Sequence, residues 1–388
     1  MTTTAGNNQI VIVGGGIYGA SLAHDLAVLG KKVMLLEADE IASGASGGPG
    51  ERGVRACNRD LRELPIVSVA QQRWQELQET IEGGVGYRRI GGIQVFDVPY
   101  GYRQSEIAAE LEARAMVQTA MGIPTRLVGR NEILEMEPEL AKTISGGLYC
   151  PNDGVGDHTF ATRQLAQAAV KAGAAIRTGA KVTEIVHRDG MAIAVRLASG
   201  EIVTVGEHLV LVANAGVLPL LRPLLQPHEL MPVWQLIPQM MYVTNPDHRK
   251  IRFLLSHKHR RLAVKQLLDG TIMLSGGWSV EHGDNQSLHG SLSATALNVS
   301  DAIATFPFLD GSMFETVDAS RVETCALDGV PIIGRPALAN NLTYGFAWTG
   351  HGFAISLGFS KYMTEWIMTG RQPPQLQPFS PDRFCPHP

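Results

Sequence analysis

The 388-residue chain has few cysteines, no excess of basic residues and no long apolar run. Its four cysteines are far apart and form no C-x-x-C pair, so neither a disulfide scaffold nor a metal site is expected. Because 33 Lys and Arg face 37 Asp and Glu, nucleic acid is not an expected partner. No run approaches the ~20 apolar residues of a spanning helix, and residues 1–8 lack a secretion signal. We therefore expect a globular, cytoplasmic chain without a transmembrane segment.

Glycine is abundant instead, and its first cluster follows a short strand-like run. Residues 10–13 are apolar and β-branched, which is typical of a parallel strand covered on both faces. They lead into Gly14-Gly15-Gly16-Ile17-Tyr18-Gly19, which matches G-x-G-x-x-G. A helical pattern to Leu29 and a second apolar run at 32–36 follow. Together these parts predict a complete βαβ unit.

The spacing within this unit indicates dinucleotide binding. Gly14 permits a tight turn, Gly16 lets a pyrophosphate approach the backbone, and Gly19 allows close packing of helix on strand. The helix N-terminus offers free amides and positive dipole charge to the phosphates. Glu37, at the end of the second strand, can accept hydrogen bonds from ribose hydroxyls and would repel a 2′-phosphate, which favours FAD or NAD over NADP. An NAD unit would continue with a helix and a strand, whereas residues 43–50 are a loop of small residues.

Later segments resemble those of one flavoprotein family. They are Gly44-Ala45-Ser46, the pair Arg52 and Arg55, a strand pattern at 179–185 that contains Val182, an apolar strand at 209–216, Asp328-Gly329-Val330-Pro331, and Gly350-His351-Gly352-Phe353 ahead of a helical pattern at 354–369. With these segments the chain resembles the D-amino-acid oxidase, glycine oxidase and sarcosine oxidase family, and it looks most like the monomeric sarcosine oxidase branch. The matches extend from residue 10 to residue 385.

The resemblance implies an α/β fold of mixed α+β character. A Rossmann-type FAD-binding domain would be interleaved with a smaller, antiparallel-sheet substrate domain that covers the flavin. The expected FAD-binding domain comprises residues 1–84, 145–224 and 320–388, and the substrate domain comprises 85–144 and 225–319. Strand patterns at 87–98, 230–243, 261–266 and 271–276 and helical patterns at 105–121 and 292–305 lie in the substrate domain.

The resemblance also implies noncovalent FAD. Sarcosine oxidases tether the flavin to a cysteine seven residues before the aspartate of the D-G-x-P element, and Arg321 stands at that position here. No metal is expected. The residues expected to contact FAD are Gly14, Gly16, Ile17, Tyr18, Gly19, Glu37, Ala38, Gly44, Ala45, Ser46, Val182, Ala213, Asn214, Gly216, Gly350, His351, Gly352, Phe353 and Ala354.

The chemistry implied by the resemblance is oxidation of a C–N bond to an imine by hydride transfer to flavin N5. The substrate would be a small amino acid or secondary amine of the sarcosine, glycine or D-amino-acid type. Arg55 stands where sarcosine oxidases bind the substrate carboxylate, and Arg52 would assist it or tune the flavin. Lys265 lies in the region that contributes an oxygen-activating lysine in some oxidases. His351 is expected near the flavin, with a structural role favoured over proton transfer.

Two departures from the family pattern leave it undecided which residues bind the substrate carboxylate. Ala354 replaces the lysine that follows G-H-G-F in sarcosine oxidases. Glu323 occupies a position that is arginine in glycine-oxidase-like members, and we interpret it as a solvated surface acid. If Glu323 instead faces the flavin, it would favour a cationic or amine-rich substrate.

Two other functions are compatible with the sequence. One is a 2-hydroxy-acid or polyol dehydrogenase, which would oxidise a C–O bond. The other is a flavoprotein subunit of a heteromeric amine, opine or proline-type dehydrogenase complex. The sequence also leaves open whether O2 or another acceptor takes the electrons, and whether the chain forms a homo-oligomer or a hetero-oligomer.

Overall fold

A computed structural model describes residues 8–48, 50–57, 59–245, 247–280 and 289–385. The strands are β1 (Gln9–Val13), β2 (Lys32–Leu36), β3 (Glu51–Val54), β4 (Tyr87–Arg89), β5 (Gly92–Phe96), β6 (Arg126–Gly129), β7 (Gly146–Cys150), β8 (Gly154–Asp157), β9 (Ala175–Arg177), β10 (Val182–Arg188), β11 (Met191–Leu197), β12 (Ile202–Thr204), β13 (His208–Leu211), β14 (Val233–Leu236), β15 (Met240–Val243), β16 (Leu254–His257), β17 (Ala263–Gln266), β18 (Ile272–Ser275), β19 (Phe314–Asp318), β20 (Glu323–Ala326), β21 (Ile332–Gly334) and β22 (Leu342–Phe346).

The α-helices are α1 (Ile17–Val28), α2 (Leu64–Thr80), α3 (Gln104–Ala120), α4 (Arg130–Met136), α5 (His158–Lys171), α6 (Val217–Leu221), α7 (Leu292–Thr305) and α8 (Gly352–Thr369). Short 3-10 helices lie at Leu61–Glu63, Asn214–Gly216, Arg222–Leu224, Pro307–Gly311, Pro374–Phe379 and Pro381–Phe384.

A six-stranded sheet is built around the first βαβ unit, in the order β21-β22-β13-β1-β2-β9. β1 runs parallel to β2 and β13, and Ile12 lies opposite Leu35 and Val210 in the two neighbours. All five residues of β1 are buried, as its continuous apolar pattern predicted. Only β21 runs antiparallel to its neighbour in this sheet. The Rossmann-type unit is therefore confirmed.

The two faces of this sheet are covered by different layers. Ile10 and Ile12 join the core formed with α1, α2 and α8. Val11 and Val13 join the opposite core, which contains the three-stranded sheet β10-β11-β12. This alternation follows from the two-residue period of a strand.

A second sheet of eight strands has the order β19-β15-β18-β17-β16-β5-β7-β6. Its pairs are antiparallel except β5 with β16, so the predicted antiparallel sheet contains one parallel pair. One face packs against α7, and Val264 of β17 belongs to that core. The next residue, Lys265, points to the other face, toward the first sheet. The mixed α/β fold implied by the family resemblance is confirmed.

Several boundaries within the second half of the fold differ from the sequence patterns. The patterns at 87–98 and 230–243 each contain two strands, because a turn interrupts each run. β14 leaves the eight-stranded sheet and pairs with β20. The pattern at 292–305 coincides with α7. β7, from a segment assigned to the FAD-binding domain, pairs with β5 from the substrate domain. The division of the chain into two domains stays a prediction.

None of the helices in the described ranges combines the length and apolar character that a membrane crossing requires.

Close packing of α8 on α2 depends on Gly358. A Cβ at this position would lie 2.3 Å from the carbonyl oxygen of Ile66, which belongs to the backbone of α2. The two helices can therefore approach at this point only because the residue has no side chain. α8 in turn contacts α1, so this contact fixes the helical layer behind the first sheet.

We predict that Gly358→Ala lowers the free energy of unfolding by about 1–3 kcal/mol, because one of the helices must shift. Gly311→Ala is the matched control, since a Cβ at Gly311 meets nothing within 4 Å. Urea unfolding of the two variants and the parent measures the difference. A Gly358→Ala protein as stable as the parent would contradict this account of the helix contact.

Candidate functional site

A cavity of about 680 Å³ lies where the two large sheets face each other. Val13 and Leu36, at the carboxyl ends of β1 and β2, line one side of it. Leu254 of β16 and Lys265 of β17 line another. Ligands of open α/β sheets bind outside the carboxyl ends of parallel strands, and the volume is that of a ligand pocket.

The glycine-rich turn enters this cavity with the geometry that its spacing predicted. Gly14 has φ +112°, and a Cβ there would lie 2.9 Å from the backbone of Ala213. A Cβ at Gly19 would lie 1.8 Å from the carbonyl oxygen of Gly14. Gly16 differs, because a Cβ there would meet nothing within 4 Å. Gly14 and Gly19 are thus required by packing, whereas Gly16 keeps space open at the N-terminus of α1.

Glu37 fixes the same turn from the end of β2. Its carboxylate accepts the backbone N–H of Gly15 at 2.5 Å and that of Asp39 at 2.9 Å. The acid lines the cavity, at the position where the βαβ motif places an acceptor for ribose hydroxyls.

A second helix N-terminus, that of α8, faces the same cavity. α8 begins at Gly352, after Gly350 with φ +73°, and no side chain caps its first amides. The Tyr18 hydroxyl, at the start of α1, donates to the carbonyl oxygen of Gly352 at 2.7 Å. The Tyr18 ring also stacks on Trp348, with centroids 3.6 Å apart. The starts of α1 and α8 are therefore tied together, and both dipoles favour negative charge in the cavity.

Four cationic side chains come together on the cavity wall: Lys265 and Arg59 are buried, and Arg52 and Arg55 are half-buried. Burial, with the nearby charge of Arg59, lowers the pKa of Arg55 to about 10. Burial, with the charges of Arg52 and Arg55, lowers the pKa of Lys265 to about 7. The Arg55 Nη1 atom is buried and has no hydrogen-bond partner within the described ranges. Arg59, which the sequence analysis missed, donates from Nε to the carbonyl oxygen of Arg55 at 3.0 Å.

Arg52 also lines the cavity, and two of its hydrogen bonds go to the loop of small residues. Its guanidinium donates to the carbonyl oxygen of Glu51 and to that of Gly48, each at 2.7 Å, and also to the carbonyl oxygen of Gly47. The side chain therefore holds this loop against the cavity.

His351 forms a buried pair that the sequence could not indicate. Its Nε2 lies 2.8 Å from Glu63 Oε1, and its Nδ1 lies 2.9 Å from the carbonyl oxygen of Thr349. Both neighbours carry acceptor oxygens, so the two contacts hold the ring from opposite sides. Although burial alone would raise the pKa of Glu63, the charge and hydrogen bond of His351, with the charge of Arg59, lower it below its ordinary value.

Glu323 is not the solvated surface acid that we expected. All four residues of β20 are buried, and Glu323 is 2% exposed and lines the cavity. The expectation was wrong because the fold places Glu323 in the cavity wall, beside Ser46, Asn214 and Gly350. The Glu323 carboxylate accepts hydrogen bonds from Ser46, the backbone of Gly350 and, at 3.4 Å, Asn214. Burial raises its pKa.

The structure brings nearly all the predicted site residues to this one cavity. Gly19 does not line it and packs behind Gly14 instead. The individual roles of these residues stay predictions. Those that line the cavity are Gly14, Gly16, Ile17, Tyr18, Glu37, Ala38, Gly44, Ala45, Ser46, Arg52, Arg55, Val182, Ala213, Asn214, Gly216, Lys265, Gly350, His351, Gly352, Phe353 and Ala354.

Two of the widely spaced cysteines meet in the fold. The Sγ atoms of Cys57 and Cys150 are 3.2 Å apart, and Asp153 completes a buried group of ligand-type side chains. None of the three lines the cavity. Sequence spacing gave no signal for this cluster, because Cys57 and Cys150 come from distant segments.

Sequence comparison identifies the family. A profile described as "FAD dependent oxidoreductase" (DAO) matches residues 9–366. The chain belongs to this family. The predicted family and the predicted cofactor, FAD, are confirmed by this match.

Individual relatives are distant. Human mitochondrial dimethylglycine dehydrogenase is 25% identical over 97% of this chain and 44% of its own length. Glycine oxidase from Geobacillus kaustophilus is 29% identical over 46% of this chain and 47% of its own length. The chain thus spans about half the length of these curated relatives. The structure of L-proline dehydrogenase from P. horikoshii superposes with a TM-score of 0.85 at 21% identity, over 97% of this chain and 98% of that one.

The residues of the cavity fit FAD. The open space at Gly16 and the uncapped N-terminus of α1 suit a pyrophosphate, and Glu37 suits the ribose. The N-terminus of α8 would favour the negative charge of a reduced flavin ring. FAD would supply the hydride acceptor there.

We predict that Gly16→Val weakens FAD binding at least roughly tenfold, about 1.4 kcal/mol, without destabilising the apoprotein. The added methyl groups would occupy the open space that the phosphates need, and they would not collide with any protein atom. Gly129→Val is the matched control, because Gly129 also precedes a helix, in extended backbone with open space. FAD titration and unfolding of the apoproteins measure both effects. Full FAD affinity in Gly16→Val would place the phosphates elsewhere.

Proposed function

We propose that the protein oxidises the C–N bond of a small amino acid or secondary amine to an imine, with FAD as the hydride acceptor. The observation that carries the proposal is the Arg55 guanidinium, whose Nη1 atom is buried and has no hydrogen-bond partner among the residues described. A substrate carboxylate would complete it. Two of the relatives, dimethylglycine dehydrogenase and glycine oxidase, are named after amino acids.

The charge of Arg55 suits this role at neutral pH. Its pKa of about 10 keeps the guanidinium protonated, although burial has removed much of its hydration. A carboxylate would form a charge-assisted and potentially bidentate contact with it. Arg59, bonded to the Arg55 carbonyl, supports the turn that presents this side chain. Holding the carboxylate would orient the hydrogen on the adjacent carbon toward the flavin position.

Other residues of the chain would influence the reaction without forming covalent bonds to the substrate. The eight-stranded sheet lines one side of the cavity, with Leu254 and Lys265 among its lining residues. Arg52 holds the loop of small residues in place. Lys265, with a pKa of about 7, would offer positive charge near the flavin below that pH and lose it above. Such a charge would assist electron transfer to O2.

The test is anaerobic mixing of the holoenzyme with amino acids, N-methyl amino acids, amines and 2-hydroxy acids. Bleaching of the visible flavin band reports reduction, and product analysis reports whether ammonia or a primary amine is released. We expect reduction by one or more amino acids or secondary amines, with amine release. Reduction by 2-hydroxy acids alone would support C–O oxidation instead and overturn the proposal.

We predict that Arg55→Met weakens binding of a carboxylate substrate by at least ~2 kcal/mol, about 30-fold, because a buried carboxylate loses its ionic partner. The flavin spectrum should be retained. Arg196→Met, at an exposed arginine paired with Glu184 outside the cavity, is the control. The dependence of the bleaching rate on substrate concentration gives the dissociation constants. Equal constants for Arg55→Met and the parent would remove Arg55 from the substrate site.

A further inference from the structure

We propose that Glu323 receives the substrate's ammonium group and accepts its proton before hydride transfer. The substrate class would then be zwitterionic amino acids whose nitrogen arrives protonated. This inference rests on the proposed function and deepens it, because the family resemblance assigned no proton acceptor to this cavity.

The first argument is the environment of the Glu323 carboxylate. The side chain is 2% exposed, and Oε1 is buried without a hydrogen-bond partner in the described segments. Its donors, Ser46, Asn214 and the Gly350 backbone, are all neutral. A buried carboxylate that has only neutral donors, and one oxygen without a hydrogen-bond partner, carries a negative charge that a cationic group of a ligand can balance. An ammonium group is the ligand group that does so.

The second argument concerns the ionisable groups around Glu323. His351, before α8, interacts electrostatically with Glu323, and its ring is already paired with Glu63 at 2.8 Å. Tyr18 of α1 and Cys325 of β20 also interact with it electrostatically. Burial raises the pKa of both groups, to about 12 for Cys325, so both are neutral at physiological pH. The facing strand β14 presents Leu236 at the paired position.

The third argument is charge complementarity along one cavity. Arg55 offers an unsatisfied cationic nitrogen and Glu323 an unsatisfied anionic oxygen, and both line the same space. A zwitterionic amino acid presents the two matching charges. A 2-hydroxy acid matches only Arg55 and would leave the Glu323 carboxylate unbalanced, so this pair of residues selects against C–O substrates.

The proposed step is a proton transfer and involves no change of oxidation state. An N–H bond of the substrate ammonium breaks, and an O–H bond forms at Glu323 Oε1. The nitrogen keeps the electron pair of the broken bond. That lone pair would then be available to assist oxidation of the adjacent carbon, for which bound FAD would supply the hydride acceptor. Burial raises the pKa of Glu323, which brings its basicity closer to that of the amine.

The pH dependence follows from the sign of this shift. Glu323 accepts a proton only when ionised, so reduction of the flavin should slow as pH falls through the raised pKa of Glu323. Above that pKa the wild-type rate should reach a plateau. Without the Glu323 carboxylate, only substrate whose amine is already deprotonated can react. The pH profile of flavin reduction should then follow the titration of the substrate amine.

The experiment compares holoenzymes of the wild type, Glu323→Gln, Glu323→Asp and Glu137→Gln. The anaerobic bleaching rate is measured against pH with whichever amino acid reduces the wild type fastest. For Glu323→Gln we expect at least roughly tenfold slower bleaching at pH 7 and a profile displaced by at least ~1 unit to higher pH. Glu323→Asp, which keeps a carboxylate, should restore the wild-type shape.

Glu137→Gln is the matched control. Glu137 is a buried acid whose pKa burial raises to about 7, and it accepts the backbone N–H of Arg252 away from the cavity. Its profile should equal that of the wild type.

A second readout does not depend on turnover. Trimethylglycine and 3,3-dimethylbutanoate have the same shape, but only the first is cationic at its branched end, and neither has an N–H. Perturbation of the flavin spectrum gives their dissociation constants. The wild type should prefer trimethylglycine at least roughly tenfold, and Glu323→Gln should lose that preference.

The outcomes separate this proposal from the proposed function. If no amino acid bleaches the wild type, the proposed function fails. If amino acids bleach it but Glu323→Gln keeps the wild-type pH profile, only the role of Glu323 is overturned. A wild type without preference for trimethylglycine would also overturn it. Loss of FAD from Glu323→Gln would place the carboxylate in the cofactor site and reject the proposal.

Discussion

The contact between Tyr18 and the Gly352 carbonyl holds the N-termini of α1 and α8 at one cavity. The residues involved are 334 positions apart, and the Trp348 ring stacked on Tyr18 buries the junction. Each helix end carries uncapped amides and partial positive charge. Both ends face the same cavity, so an elongated, electron-rich ligand can meet one dipole with its phosphates and the other with its ring system. The rest of the site is arranged around that convergence.

The charged side chains of the cavity wall share the preference of the helix N-termini for a negatively charged ligand. Arg52, Arg55, Arg59 and Lys265 place several cationic groups on this wall. An anionic cofactor and a carboxylate substrate both reduce the cost of burying those cations. Two acids, Glu37 and Glu323, also line the cavity. Glu37 accepts two backbone N–H groups, whereas Glu323 lies among neutral donors, and we propose that it recognises a positive group of the ligand.

Local sequence was enough to predict the parts of the site that depend on backbone geometry. The roles of Gly14, Gly16 and Glu37 follow from spacing within a single βαβ unit, because the turn, the helix and the strand are contiguous. The N-terminus of α8 could be predicted for the same reason, since Gly350 and Gly352 lie immediately before a helical pattern. Lys265 was found through the family resemblance, and strand alternation places it opposite Val264, on the cavity side of its sheet.

The parts that sequence could not provide depend on contacts between distant segments. Glu63 and His351 are 288 positions apart, and neither residue has a neighbour that indicates the other. Glu323 is buried beside Ser46, Asn214 and Gly350, which come from three other segments of the chain. Arg59 offered a weak signal, because it follows Arg55 by four positions and supports its backbone.

The most direct measurement of the central claim is titration of the flavin-free protein with FAD. Quenching of flavin fluorescence and the shape of the visible band report entry into the cavity, and Gly16→Val distinguishes binding at the α1 turn from binding elsewhere. The account predicts tight binding of one FAD per chain, which Gly16→Val weakens. A parent protein that is purified without colour and takes up no FAD would contradict it.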